Sequence, residues 1–174
     1  MKKKILAIPG SLRKASVNKA VLKHIAQTYA DELAIEIYDK VDELPIFNPD
    51  LEGDQLPEIV AALHAKVKAA HAIIISTPEY VFSLPGNVKN LLEWHVSTTL
   101  FSGKPVAIIV AAASGKMAME SLALVMSTIT ESTIPEDQKL LLQGIEQKIN
   151  EDGELTDEKV IQQIDHLIRA LMLI

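Results

Sequence analysis

Ile8-Pro9-Gly10-Ser11-Leu12-Arg13-Lys14-Ala15-Ser16-Val17-Asn18 is the stretch that decides the fold. The apolar run from Ile5 to Ile8 leads into it, and Val21, Leu22, Ile25, Ala26 and Tyr29 follow at helical spacing. The segment reads as strand, tight loop, helix. Such a loop leaves free backbone N–H groups at a helix N-terminus, where an anion is stabilised. Gly10 allows a sharp turn or a close approach to a ligand. Ser11, Ser16 and Asn18 are neutral donors, and Arg13 carries a planar fork matched to phosphate. A plainer reading fits the same residues: Ser16 as a helix N-cap and Arg13 as a solvated cation.

The same strand–loop–helix grammar recurs along the chain. Lys3 to Ile8, Ala72 to Ser76 and Val106 to Ala112 are nearly all apolar rather than alternating, the signature of parallel strands covered on both faces. Ala34 to Tyr38 alternates instead, which predicts a strand at a sheet edge. Helices are expected over Ser16 to Tyr29, Pro57 to Ala70, a segment beginning at Asn87, Met117 to Thr130, and Thr156 to Met172. Asp39 to Leu56, with Pro45, Pro49 and Gly53, reads as loop, its Leu44-Pro45-Ile46-Phe47 run packed down on the core. A fifth strand is expected at Ser132 to Ile134, stopped by Pro135, with Leu140-Leu141-Leu142 as a short packed turn or helix. Five βα repeats with buried strands predict an α/β three-layer sandwich around a parallel sheet. The flavodoxin-like order 2-1-3-4-5 is its natural five-stranded form.

Whole-chain properties narrow the function. The 174 residues, 48% of them hydrophobic, suffice for one domain spanning 1–174 with a good core. The absence of cysteine removes disulfides, thiolate nucleophiles and thiolate-bound metals, and fits a cytoplasmic protein. The basic N-terminus is followed by too short an apolar run for a signal peptide, and no run reaches membrane-spanning length. A net charge of -6 argues against nucleic-acid binding. His64 and His71 lie seven residues apart, but no third ligand joins them, so ordinary surface or boundary histidines are expected rather than a metal site.

A second distinctive loop follows the third strand: Thr77-Pro78-Glu79-Tyr80-Val81-Phe82-Ser83-Leu84-Pro85-Gly86. It is proline-restricted and carries two of the chain's six Phe and Tyr residues. It also stands at a strand's C-terminal end, where open α/β sheets bind ligands. A third loop, Ala113-Ser114-Gly115-Lys116, closes the fourth strand. The helix after it is apolar over much of its surface, through Met119, Leu122, Ala123, Leu124, Val125, Met126 and Ile129, which suggests a subunit contact or a helix buried within the domain.

Two signatures in order resemble the NAD(P)H-dependent FMN reductases, a flavodoxin-like family that includes small quinone, azo-dye and chromate reductases. They are Gly10-Ser11-Leu12-Arg13 with Ser16 and Asn18, and Pro78-Glu79-Tyr80 with Ser83, Pro85-Gly86, Lys89-Asn90 and Trp94. With Gly103-Lys104-Pro105 the resemblance covers about residues 3 to 112. It implies bound FMN. Ser11, Arg13, Ser16 and Asn18, with Val17 among them, would hold its phosphate. Pro78, Glu79, Tyr80 and Val81 would line one edge of the ring, and Ser114 and Gly115 would close the other. It further implies NAD(P)H as co-substrate: a hydride passes to the flavin, then electrons pass to a small acceptor such as free flavin or a quinone. A homodimer or homotetramer is implied as well. Family members usually carry Asn where Val81 stands, and often a Gly-Gly pair where Ser114-Gly115-Lys116-Met117 stands. No acid/base pair or nucleophile is evident, which suits chemistry carried by a cofactor. The competing reading is a flavodoxin-like electron carrier, disfavoured because flavodoxins usually show a Thr/Ser/Gly phosphate loop.

Overall fold

The central strands are buried along most of their length, and the two edge strands alternate between more and less buried positions. The computed structural model describes residues 1–150 and 152–173. β1 (Lys3–Pro9), β3 (Ala72–Thr77) and β4 (Val106–Ala112) form the centre of the sheet, flanked by β2 (Leu33–Ile37) and β5 (Lys139–Gln143). The order is β2-β1-β3-β4-β5 and every pair is parallel. On one face, Leu6, Ile8, Ile73, Ile75, Ile108 and Val110 pack with α2 (Glu58–Ala69), α3 (Gly86–Glu93) and α4 (Lys116–Thr130). On the other, Ile5, Ala7, Ile74, Ala107, Ile109 and Leu142 pack with α1 (Val17–Thr28) and α5 (Glu158–Met172). Each fully buried Leu or Ile contributes about 1.5–3 kcal/mol. A one-residue slip would exchange the two faces, so the pattern also fixes the register.

The fifth strand is where the sequence reading is corrected. Ser132 to Ile134 is not a strand: it belongs to the turn that ends α4, where Glu131 adopts φ 57° and Ser132 N–H donates to the Ser127 carbonyl at 3.2 Å. Pro135 then leads into a short 3-10 turn, Glu136–Gln138, that feeds the true strand. Leu140-Leu141-Leu142 lies in β5, paired in register with Ile109, Val110 and Ala111 of β4. Leu140 and Leu142 face the α1/α5 layer, and Leu141 faces the α4 side, partly buried. A three-residue apolar run carries no period of its own; the sheet decides it by offering β4 a partner.

Elsewhere boundaries shift by a residue or two. Ser16 is the N-cap of α1, its hydroxyl accepting from Lys19 N–H. The 39–56 stretch holds three short 3-10 turns and is anchored as expected. The Pro45 carbonyl accepts from Asn90 Nδ2 at 2.9 Å and from Trp94 Nε1 at 2.8 Å, and Phe47 packs edge-on against the Trp94 ring. In α4, Leu122 and Met126 are fully buried, and Met119, Ala123, Val125 and Ile129 pack partly against the same core. Most of that helix's apolar excess therefore serves its own chain, leaving Met117 and Leu124 exposed.

Three of the five histidines, His64, His71 and His95, make structural contacts. His71 Nδ1 accepts from Lys4 N–H at 2.9 Å, and His64 Nε2 lies 2.8 Å from the Trp94 carbonyl. His95 follows α3, fully buried between His64 and Phe101. Burial, opposed by its bond to the Leu91 carbonyl and reinforced by His64, pulls the pKa of His95 down to about 4. Among the described residues no group of three or more His, Asp or Glu side chains is arranged to hold a metal. No helix there is long and apolar enough to cross a membrane.

Candidate functional site

The loops at the C-terminal ends of β1, β3, β4 and β5 enclose a cavity of about 270 Å³. Its wall is Ser11, Arg13, Ser16, Val17 and Asn18 from the first loop, and Pro78, Glu79 and Tyr80 from the second. Ala111, Ala112 and Ala113 come from the end of β4, and Gly144, Ile145, Glu146 and Gln147 from the loop after β5.

The first loop is pinned from below. Gly10 N–H donates to the Ser76 carbonyl at 2.7 Å, and its own carbonyl accepts from Asn87 Nδ2 at 3.1 Å. A Cβ at Gly10 would run into Thr77 and Val88, so only glycine lets the tips of β1 and β3 come this close. Asn18, fully buried, donates from Nδ2 to the Ala111 carbonyl at 3.2 Å and accepts at Oδ1 from Ser76 Oγ at 3.0 Å. It thus ties α1 to the ends of β3 and β4, and one amide N–H remains for a ligand. Ser11 is buried and accepts from Arg13 N–H at 3.4 Å; Ser16 accepts from Lys19 N–H at 3.3 Å. Both hydroxyl protons stay free to donate. The Arg13 side chain is exposed, with no hydrogen bond or ion pair among the described residues.

The second loop ends in a two-residue turn. Tyr80 and Ser83 exchange both backbone hydrogen bonds at 3.0 Å, with Val81 at φ 50° and Phe82 at φ 54° between them. Positive φ at both central positions is the type I′ pattern that Asn-Gly normally fills, and for a β-branched residue it is an outlier. Val81 is 95% exposed and Phe82 76% exposed. Glu79 turns the other way: its Oε2 accepts from Ala118 N–H, in the first turn of α4, at 3.0 Å.

Eight of the eleven residues expected from sequence line the cavity; Val81, Ser114 and Gly115 stand outside its wall. Val81 is at the hairpin tip. Ser114 is exposed, its carbonyl accepting from Gln143 Nε2 at 2.9 Å, and Gly115 is buried against Leu141 and Val110. In their place the alanines at the end of β4 and the whole 144–147 segment form the wall. That segment follows β5, so a misplaced fifth strand hides it. The sequence signal that finds it is Gly144, one residue beyond the Leu140–Leu142 run and its Gln143; in the fold it adopts φ 61°.

The wall suits FMN. One end joins two free hydroxyl donors, a helix N-terminus and an unpaired guanidinium, the donor set for a phosphate. The rest combines apolar groups suited to a ring, Pro78, Tyr80, Ala111–Ala113 and Ile145, with the polar Glu79, Glu146 and Gln147. No imidazole, amine or thiol side chain faces in, so the wall binds and orients. A larger groove of about 480 Å³ lies between β2 and α2, away from these strand ends. The Lys66–Glu36 ion pair belongs to its wall, which offers no helix N-terminus for an anion.

Comparisons with known proteins agree with this geometry. A model of the NADPH-dependent FMN reductase family matches residues 3–145. The NAD(P)H-dependent FMN reductase of Pseudomonas aeruginosa is 29% identical over 178 residues, covering 98% of this chain and 94% of that protein. The NADPH azoreductase of a Bacillus species is 33% identical over 159 residues, covering 89% and 83%. Among solved structures, the flavoenzyme NAD(P)H:(acceptor) oxidoreductase FerB of Paracoccus denitrificans superposes with a TM-score of 0.78 at 25% identity, covering 97% of this chain and 94% of that one. The family match runs through the loops after β1, β3 and β4 and ends at residue 145 in the loop after β5, so it takes in all of the cavity wall except Glu146 and Gln147: the chain belongs to the NADPH-dependent FMN reductase family.

Proposed function

We propose that this chain works as one domain, an FMN-dependent NAD(P)H oxidoreductase that reduces a small acceptor, free flavin or a quinone. One observation carries the reading: a cavity with a phosphate-type donor set at one end and, at the other, a wall of Pro78, Tyr80 and three alanines free of imidazole and thiol side chains. Bound FMN supplies the hydride and electron chemistry. The Ser11 and Ser16 hydroxyls, the loop amides and Arg13 hold the phosphate. Asn18 fixes the distance between that loop and the strand ends. Pro78, Tyr80 and Ala111–Ala113 would line the ring's place, with backbone groups available to its polar edge.

Relatives reduce quinones and azo compounds by their names, and the exposed Tyr80, Val81 and Phe82 beside the opening favour a flat, apolar acceptor. The cavity is small for the roughly 300–1,000 Å³ of a ligand cleft. Its surroundings leave Leu12, Tyr80, Val81, Phe82 and Met117 exposed. A second copy covering this rim, in a homodimer or homotetramer, would complete the site. The cysteine-free composition suits the cytoplasm.

The test is the absorbance spectrum of the purified protein with added FMN, followed by anaerobic NADPH and NADH. A flavin band that either nicotinamide bleaches is expected. No bound flavin overturns the reading, and binding with negligible bleaching favours an electron carrier instead. Sedimentation at micromolar concentration tests the dimer.

A further inference from the structure

Helix α4 begins without a cap of its own. Its N-cap residue is Gly115, at φ 86°, with no side chain to accept from the first-turn amides. A capping Ser, Thr, Asn or Asp does not fit there. The backbone is in the left-handed region, and a Cβ would lie 2.6 Å from Leu141 Cδ1 and 2.9 Å from Val110 Cγ1. The missing acceptor comes from 39 residues earlier: Glu79 Oε2 takes the Ala118 N–H at 3.0 Å. Ala118 is the third helical residue, the position an N-cap side chain normally serves. The carboxylate also stands at the positive end of the helix dipole, where a negative charge is stabilised.

Glu79 is at the same time part of the cavity wall. One side chain therefore joins the loop after β3 to the helix after β4, and those two segments flank the ring end of the site. We infer that Glu79 is a positioning residue for the FMN site: its carboxylate clamps the second loop to the first turn of α4 and holds the two ring-side walls at one spacing. Gly115 then contributes by requiring an outside cap, although it does not line the cavity. This inference rests on the FMN reading proposed above.

The test compares Glu79→Gln, which keeps an acceptor oxygen, with Glu79→Ala and with Glu79→Met, which keeps bulk and loses the acceptor. In flavin-free protein, amide hydrogen exchange at Met117–Met119 should accelerate about tenfold or more in the Ala and Met variants. In the Gln variant it should stay within about threefold of wild type, because a neutral amide oxygen still accepts the bond. Exchange at the far end of α4 should not change in any of them. In titrations, Ala and Met should weaken FMN and riboflavin binding by the same factor, about tenfold, while Gln restores most of it. Met replaces Ala if the Ala variant fails to fold. Unchanged exchange at Ala118 in the Met variant overturns the inference, as does equal loss of flavin affinity in Gln and Met. A wild-type protein that binds no flavin overturns the FMN reading instead, and the exchange data still decide whether Glu79 is the clamp.

Discussion

The two ends of the cavity are built on opposite principles. At the Ser11–Asn18 end the framework is bonded within the chain: Gly10 fits where no other residue would, and the Asn18 amide is bonded to Ala111 and Ser76. Only the groups suited to an anion are left over. At the Tyr80–Ser83 end, a valine and a phenylalanine occupy left-handed backbone and point into solvent. The first end is finished within one chain and presents donors suited to a small anion. The second carries strain and exposed apolar surface with no return inside this chain, which is the form of a surface that meets another molecule.

Damage to the finished end should cost most. Asn18→Ala leaves the Ala111 carbonyl and the Ser76 hydroxyl without their buried partner. At about 1–3 kcal/mol for each stranded group, plus the space left behind, a loss of about 4 kcal/mol is expected in urea denaturation. A loss below about 1 kcal/mol would break the contrast between the ends.

Acid strikes the layer that carries the open end. His95, just after α3, titrates near pH 4 in the folded protein and from 6.5 when unfolded. The unfolded state therefore binds the extra proton between those values, and stability falls as pH drops through that window. The shift corresponds to about 3 kcal/mol, complete below about pH 4. His95→Phe should flatten the stability–pH profile between pH 6.5 and 4, and an unchanged slope would remove His95 as its cause.

A smaller and more selective effect belongs to Arg13. Arg13→Ala should weaken FMN binding by about 2 kcal/mol, the worth of a charge-assisted bond, or roughly thirtyfold. Riboflavin binding should hardly change. Equal losses for both flavins would place the phosphate elsewhere.

The mildest change should run in the stabilising direction. Replacing Val81-Phe82 with Asn-Gly supplies the residues a type I′ turn favours and should raise stability by about 1 kcal/mol. If the tip meets a second copy, the same change should also weaken self-association. A more stable protein with unaltered association would leave the strained tip without a partner role.

The first end was legible because local chemistry writes it. A small-residue loop between a buried strand and an amphipathic helix has few other readings, and Ser16 sits where an N-cap must. What could not be read was the double use of residues. Asn18 offers the sequence only a polar side chain, and its engagement with Ala111 and Ser76 depends on α1 meeting the ends of β3 and β4. Glu79 likewise reaches an amide 39 residues away. The 144–147 wall was hidden for a different reason: three leucines carry no period, so β5 declares itself only through its pairing with β4. Local patterns announce turns and caps, whereas bonds between distant loops exist only once the sheet has brought the loops together.

The central claim is that the Ser11–Asn18 end holds the phosphate of a flavin mononucleotide. Titration of the flavin-free wild-type protein with FMN and with riboflavin, side by side, tests it most directly. The account predicts that FMN binds at least about tenfold tighter, since the phosphate alone reaches Arg13 and the loop amides. Equal affinities for the two flavins, or no binding of either, would contradict it.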